Sequence, residues 1–380
     1  MSELTDTMTA TAQIERHAGG VMHGLPRGAY TERAVLAAEY ARVFAPSWCF
    51  VGFAHEFANP GDARPVTAAG QPIVLLRNAV GDMRAFHNVC RHRGHIVVGA
   101  PCQGLTALIC PYHAWTYDLD GRLQATPHFG GYRKPHVEGF DRAAHGLVPV
   151  RCAVWHDWIF VNLDGAAVPL EDHLAPLIAR LADVDLGTMT PLVKIDLGTV
   201  KANWKFLLEN FVEPYHVPIV HAESAAGQPL REHYMIDDGT CFGCAIDVNA
   251  ERAENRRPAL ANALDMSSLY LAVYPNFVFG HYAPDQIGVH LNVPEAPDRT
   301  RQWRVIYHLG DDPPGAEEID ELAALWRRVH GEDHAIVERL QAGRASPVMD
   351  DGGLLSPAWE TSVRRFHKLL GAALEDATYG

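Results

Sequence analysis

The sequence lacks the features that membrane, nucleic-acid and disulfide-built proteins need. No run of about 18 apolar residues is present to span a bilayer. The opening stretch MSELTDTMTATAQ carries early acids and no apolar centre, unlike a signal or transit peptide. Basic residues are in deficit, 32 Lys and Arg against 46 Asp and Glu, and the net charge of −14 is no footprint for a phosphate backbone. Seven cysteines, an odd number behind no leader, argue against a disulfide framework and for a reducing, cytoplasmic compartment. Neither a G-x-G-x-x-G after a strand nor a P-loop occurs, so the chain is not expected to take hydride from NAD(P)H itself.

What is present is the composition of a globular protein, 48% hydrophobic and 21% charged over 380 residues, enough for one large domain or two of ordinary size. Residues 30–45 have helical spacing and end at Pro46. From Trp48 to about Asp164, short β-rich runs such as PIVLLRN and WIFVNLD alternate with Gly, Pro, Asn and Asp turns, which predicts a small antiparallel β domain. Helices are expected at 169–183 and 203–212, strands from about 233 to 310, and helices again at about 316–342 and 358–371. The fold class is therefore α+β, with an N-terminal helical segment (1–47), a β domain (48–164) and a sheet-plus-helix domain (165–380).

Two short elements pair one Cys with one His. Cys90-Arg91-His92 is followed, after 17 residues, by Cys110-Pro111-Tyr112-His113. Zinc fingers usually group like ligands, with at least two residues between neighbours. A single residue between Cys90 and His92 suits a [2Fe–2S] centre with two Cys on one iron and two His on the other. Zinc, or unrelated core residues, are the competing readings. His95 falls outside the C-x-H step and is expected to hydrogen-bond or pack. Cys241 and Cys244 form a C-x-x-C in strand-like sequence without a second pair, which favours a structural or free-thiol role.

ENFVEPYHVPIVH (209–221) offers Glu213, His216 and His221. On an ideal helix the two histidines would splay by roughly 140°, but Pro214 and Pro218 make a distorted turn the better expectation. By spacing alone, a chance pair is the default among 21 histidines. A carboxylate would complete a two-His, one-carboxylate iron site with open positions. In AALWRRVHGEDHAIVERLQ, Leu322, Trp326, Val329, Val337 and Leu340 form a helical stripe with Asp333 at its centre, while Glu332 is turned to the flank. A core-facing carboxylate is costly unless paired or metal-bound. Pairing of Asp333 with a buried Arg or His is the alternative.

CRHRG (90–94) and CPYHAW (110–115) resemble the two cluster-binding loops of Rieske proteins, and the later pieces resemble the catalytic half of Rieske non-haem iron oxygenases. Glu213, His216 and His221 meet that family's acid-x-x-His-x4-His pattern, and NWK (203–205), ENF (209–211) and EDxxxxExxQxG (332–343) match it as well. The resemblance implies Cys90 and Cys110 on one iron, His92 and His113 on the other, and Trp115 over the cluster. It implies a helix-grip, START-like catalytic domain with mononuclear iron on His216, His221 and Asp333, and Asn210 near the iron. It further implies a homotrimer in which Glu213 bridges His216 to a neighbour's His113, with O2, an organic substrate, and a flavin reductase or ferredoxin as electron donor. Glu213 stands where ring-hydroxylating members usually carry Asp, which is similar to the branch acting on quaternary ammonium compounds. The expected reaction is therefore hydroxylation of a C–H bond next to nitrogen. A cis-dihydroxylating ring dioxygenase and a Rieske electron carrier without catalysis are the alternatives. Tyr270, Tyr274, Phe277, Phe279, His281 and Tyr282 crowd strands expected over the iron, and none is assigned to substrate.

Overall fold

The β-rich texture after Trp48 becomes a six-stranded antiparallel sheet in the order Cys49–Phe53, Trp158–Asn162, Pro149–Trp155, Met83–His87, Gln71–Arg77, Ala63–Ala68. A small sheet of Leu108–Ile109, Thr116–Tyr117 and Leu123–Ala125 accompanies it. This unit spans Phe44–Leu170; the second joins the residues up to Val43 to those from Glu171 onward. The computed structural model describes residues 22–225, 228–247 and 267–375. No helix among them is long and apolar enough to cross a membrane.

The second unit is a seven-stranded antiparallel sheet in the order Met189–Val200, Arg299–Leu309, Gln286–Ala296, Phe277–Tyr282, Ser268–Val273, Cys241–Ile246, His233–Asp238. The helix Ala316–Arg344 lies against one face, starting where the Glu318 carboxylate accepts the Gly315 N–H at 3.0 Å. Leu322, Ala323, Trp326 and Val329 pack on Ile195, Tyr282 and Ile306 of the sheet. The predicted stripe holds except at its end, where the inward phase falls on buried Gln341 and Arg344 and Leu340 is 43% exposed.

The helix expected at 30–45 comes in pieces, Gly28–Thr31, Arg33–Glu39 and a π-helical turn Tyr40–Phe44. The first break is at Glu32, which is extended (φ −94°, ψ 130°). Through it Tyr30 and Glu39 both reach the helix Trp204–Phe211. Glu39 accepts from Lys205 Nζ at 2.6 Å and from Trp204 Nε1 at 2.8 Å, fully buried. Gln341 accepts the Asn203 N–H at 2.9 Å, and Glu338 accepts that of Lys201 at 3.0 Å. The NWK and ExxQ matches thus clamp two helices that carry site residues.

Glu209 accepts from the Tyr30 hydroxyl at 2.8 Å and lies 2.9 Å from His367 Nε2. Burial pushes its carboxyl up, but His367, Tyr30 and Arg344 outweigh that and hold it below the usual range. A depressed folded value stabilises fully above the unfolded value of about 4.3 and is lost as pH falls through the folded one. Melting temperature should therefore fall as the pH drops below about 4, and Glu209→Gln should flatten that acid limb.

Candidate metal centres and the cavity beside them

The two Cys–His loops share one backbone design. Cys90 N–H donates to the His95 carbonyl and Gly94 N–H to the Cys90 carbonyl; Cys110 N–H donates to the Trp115 carbonyl and Ala114 N–H to the Cys110 carbonyl. Each loop therefore closes over a left-handed residue four places on, Gly94 (φ 76°) and Ala114 (φ 55°). Both thiols are buried, and the Tyr117 hydroxyl lies 3.3 Å from Cys90 Sγ. His92 and His113 meet at 4.6 Å between ring centres, and Trp115 stacks on His92 at 4.9 Å. His92 Nδ1 is buried without a hydrogen-bond partner, as expected of a nitrogen kept for a metal. The donor set, two sheltered thiols and two imidazoles of which His113 is exposed, fits a Rieske cluster with its histidine end at the surface. His95 lies outside the set and hydrogen-bonds the Ile96 carbonyl through Nδ1 at 2.6 Å.

In the second unit, Pro218 sits inside a four-residue helix, Val217–Val220, with His216 just before it and His221 just after. The proline lies in the first turn, where it costs no backbone bond, and helical bonds link His216 with Val220 and Val217 with His221; the two rings nevertheless stand 5.2 Å apart. Ligand atoms of His216, His221 and Asp333 all lie within 4.8 Å of one another. His221 Nε2 is 3.0 Å and His216 Nε2 3.7 Å from Asp333 Oδ1, which also accepts from Asn210 Nδ2 at 2.9 Å. Each histidine has a glutamate behind it. Glu213 holds His216 Nδ1 at 2.5 Å and accepts the Tyr215 N–H; Glu332 holds His221 Nδ1 at 2.7 Å and accepts from Ser224 Oγ at 2.6 Å. Two imidazoles and one carboxylate at single-ion spacing, with carboxylates fixing the outer nitrogens, fit a mononuclear metal.

Burial pushes Asp333 up, but His221, His216 and Asn210 outweigh it and hold the carboxyl below the usual range. Burial likewise pulls His221 down, and Asp333 with Glu332 more than reverses this. Asp333 is therefore ionised at neutral pH and ready to serve as a ligand. Glu332, read from helical phase as a flank residue, belongs to the site because His221 approaches from the flank. The signal was already present in the neighbouring acid of the ED pair. Glu332→Ala should weaken metal binding by roughly 10–100-fold while the triad residues remain, read by Fe(II) titration.

The triad opens on a cavity of about 530 Å³ of empty volume, lined by Phe211, Cys244, Tyr270, Tyr282, Arg304 and Trp326 among others. Of the six crowded aromatic-strand residues, Tyr270 and Tyr282 line it, whereas Tyr274, Phe277, Phe279 and His281 do not. Cys241 and Cys244 are three apart on a strand and so face opposite sides; both are buried free thiols.

Architecture and donor sets together define a two-part redox protein, a [2Fe–2S] module followed by a catalytic sheet-and-helix module. A family model described as "Ring hydroxylating alpha subunit (catalytic domain)" matches residues 178–376, more than half of the chain, and one described as "Rieske [2Fe-2S] domain" matches residues 47–140. The chain belongs to the ring-hydroxylating alpha-subunit family. It is 36% identical over 214 residues to the glycine betaine monooxygenase oxygenase subunit of Chromohalobacter salexigens, covering 56% of this chain and 46% of that one. To the chloroplastic choline monooxygenase of Atriplex hortensis it is 26% identical, over 92% of this chain and 78% of the relative. The solved quaternary ammonium Rieske monooxygenase CntA with L-carnitine superposes with a TM-score of 0.78 at 25% identity, over 93% of this chain and 96% of that one. The chain spans about half the length of the bacterial curated relatives it matches.

Proposed function

We propose that the protein is the terminal oxygenase component of a Rieske system, hydroxylating a C–H bond next to nitrogen in a quaternary ammonium or N-alkyl substrate, whose product then loses the alkyl group as an aldehyde. The observation that carries this reading is the triad His216, His221 and Asp333 at single-ion spacing on the wall of a cavity. When bound there, iron supplies O2 activation, with electrons from a cluster on Cys90, Cys110, His92 and His113. Two imidazoles and one carboxylate leave positions open for O2 and substrate. Asn210 steadies Asp333, and Glu213 orients His216 through Nδ1.

Glu213 also suits an electron bridge. It stands directly behind a ligand of the iron, and an exposed His113 is the complementary end of the other unit. We place these two in neighbouring subunits of a head-to-tail homotrimer, fed by a flavin reductase or ferredoxin. We place the protein in the cytoplasm, a compartment that keeps thiols reduced.

Product analysis under 18O2 tests the reaction. One labelled oxygen and a released aldehyde are expected; both atoms in one intact diol would overturn it in favour of ring dihydroxylation. Glu213→Gln should slow electron delivery while leaving both metal contents unchanged, as followed by cluster reoxidation in single turnover.

A further inference from the structure

Arg304 is 1% exposed and lines the cavity, though no part of the oxygenase reading uses it. It stands opposite His290 on the neighbouring strand, within the apolar run WRVIYHL. Its Nη1 approaches His290 Nε2 at 3.0 Å and His330 Nε2 at 3.3 Å. Burial above all, with the guanidinium beside them, holds both histidines far below their usual range, so they stay neutral and offset no charge. The flat face of Arg304 lies 3.4 Å from the centre of the Trp326 ring.

The other edge of the fork is different. Nε and Nη2, which carry three N–H donors between them, meet no carboxylate, and the nearby buried Tyr282 hydroxyl is the one group the guanidinium has beside it there. Among the described residues no carboxylate pairs with Arg304. The fold makes room for this arrangement. Gly280 and Gly288 face each other across two strands. A methyl group on Gly280 would meet the Tyr282 hydroxyl at 2.5 Å, and one on Gly288 would meet Arg304 Nη2 at 2.2 Å. Guanidinium and hydroxyl thus fold into one hollow whose acceptors include no hydrogen-bonded carboxylate. The Asp333 carboxylate acts on Arg304 only through its field, a buried guanidinium without a hydrogen-bonded carboxylate is costly, and its Nε–Nη2 edge matches the two oxygens of a carboxylate.

We propose that Arg304, with the Tyr282 hydroxyl, anchors a carboxylate of the substrate, so that the substrate is a zwitterionic N-alkyl amino acid or betaine and not an amino alcohol or simple amine. This rests on the oxygenase reading of the same cavity. His330 and Trp326, which touch the guanidinium, precede Asp333 on one helix by three and seven residues. At 1.5 Å per residue this is roughly 4–11 Å along the axis, the reach of a small amino acid from carboxylate to N-alkyl carbon. Because the guanidinium already occupies the Trp326 face, the substrate's cation is left to Tyr270 and Phe211.

The test is calorimetric titration of the holoenzyme, without reductase, with trimethylammonio carboxylates of increasing chain length, each set against its own amide. At least one carboxylate should bind roughly 10–100-fold more tightly than its amide. Arg304→Gln should erase that gap and leave amide affinity unchanged, whereas Arg304→Lys should keep part of it. On the wild-type enzyme, which needs no variant to fold, acetate should weaken the carboxylate probe and spare the amide. No carboxylate binding, equal affinities, a gap that survives Arg304→Gln, or equal competition by acetate would each overturn the anchor. Adding reductase and O2 then separates the two ideas. Tight binding without oxygenated product sinks the oxygenase reading alone, while oxygenated product without carboxylate preference sinks the anchor alone.

Discussion

Asp333→Ala should abolish turnover and empty the mononuclear site, while the absorption spectrum of the cluster stays intact. The reason is geometric. Asp333 Oδ1 is the point on which His221, His216 and Asn210 all converge, and the side chain supplies the only carboxylate in that set. Removing it leaves two imidazoles facing a gap, and a two-ligand site does not retain iron(II) against water. The neighbouring Glu332 cannot substitute, because its oxygen is already committed to His221 Nδ1 and Ser224. Iron analysis, cluster spectrum and product formation on one sample decide the matter. Unchanged turnover would remove Asp333 from the ligand set. Loss of the cluster as well would mean that the variant had failed to fold.

Glu39→Gln should be the most destabilising of the single changes considered, at about 3–5 kcal/mol. Lys205 is completely buried, and its ammonium sits 2.6 Å from Glu39 and over the rings of Tyr30 and Trp204 at 5.2 and 5.4 Å. Ring faces soften a buried cation but do not neutralise it. Without the carboxylate, that charge remains in the core unpaired. For a unit of this size the loss corresponds to a fall in melting temperature of roughly 6–20 °C. The double variant Glu39→Leu/Lys205→Met should recover most of it, since removing both charges also removes the desolvation cost. A single variant as stable as the parent would show that the pair contributes little. The effect also bears on function, because Lys205 lies on the helix that carries Asn210 to Asp333.

The two Cys–His loops were legible in the sequence because their spacing is local. In the loops Cys90–Gly94 and Cys110–Ala114, the ligands are brought together by a turn that the motif itself forms, so residue type and separation suffice. Spacing alone did not single out His216 and His221; the family resemblance did, and the structure sets their rings 5.2 Å apart. Asp333 was legible for a different reason. A carboxylate in an apolar stripe is an energetic anomaly that periodicity alone exposes. The predicted helix over residues 30–45 failed at Glu32, since helical spacing there describes which residues face inward and not whether the backbone stays continuous. Leu340 failed because the inward phase at the helix end falls on Gln341, which accepts the Asn203 N–H, one position further on.

The partners of Glu332, Glu39 and Arg304 were decided by tertiary structure. Glu332 and His221 are 111 residues apart in the chain, and Glu39 and Lys205 are 166 apart. Each pairing depends on the angle at which one element is laid on another, and that angle is not encoded in any window of neighbouring residues. Arg304 is the clearest instance. Within its own strand it is an ordinary basic residue in an apolar run. Sheet register alone sets Gly288 against Gly280 and gives the guanidinium its hollow, and helix docking alone lays Trp326 over its face. Local spacing therefore picked out candidate ligands, and the family resemblance said which metals they suit. The shape and charge of the cavity beside them were decided by the packing of helix on sheet, because a cavity arises only where distant elements meet.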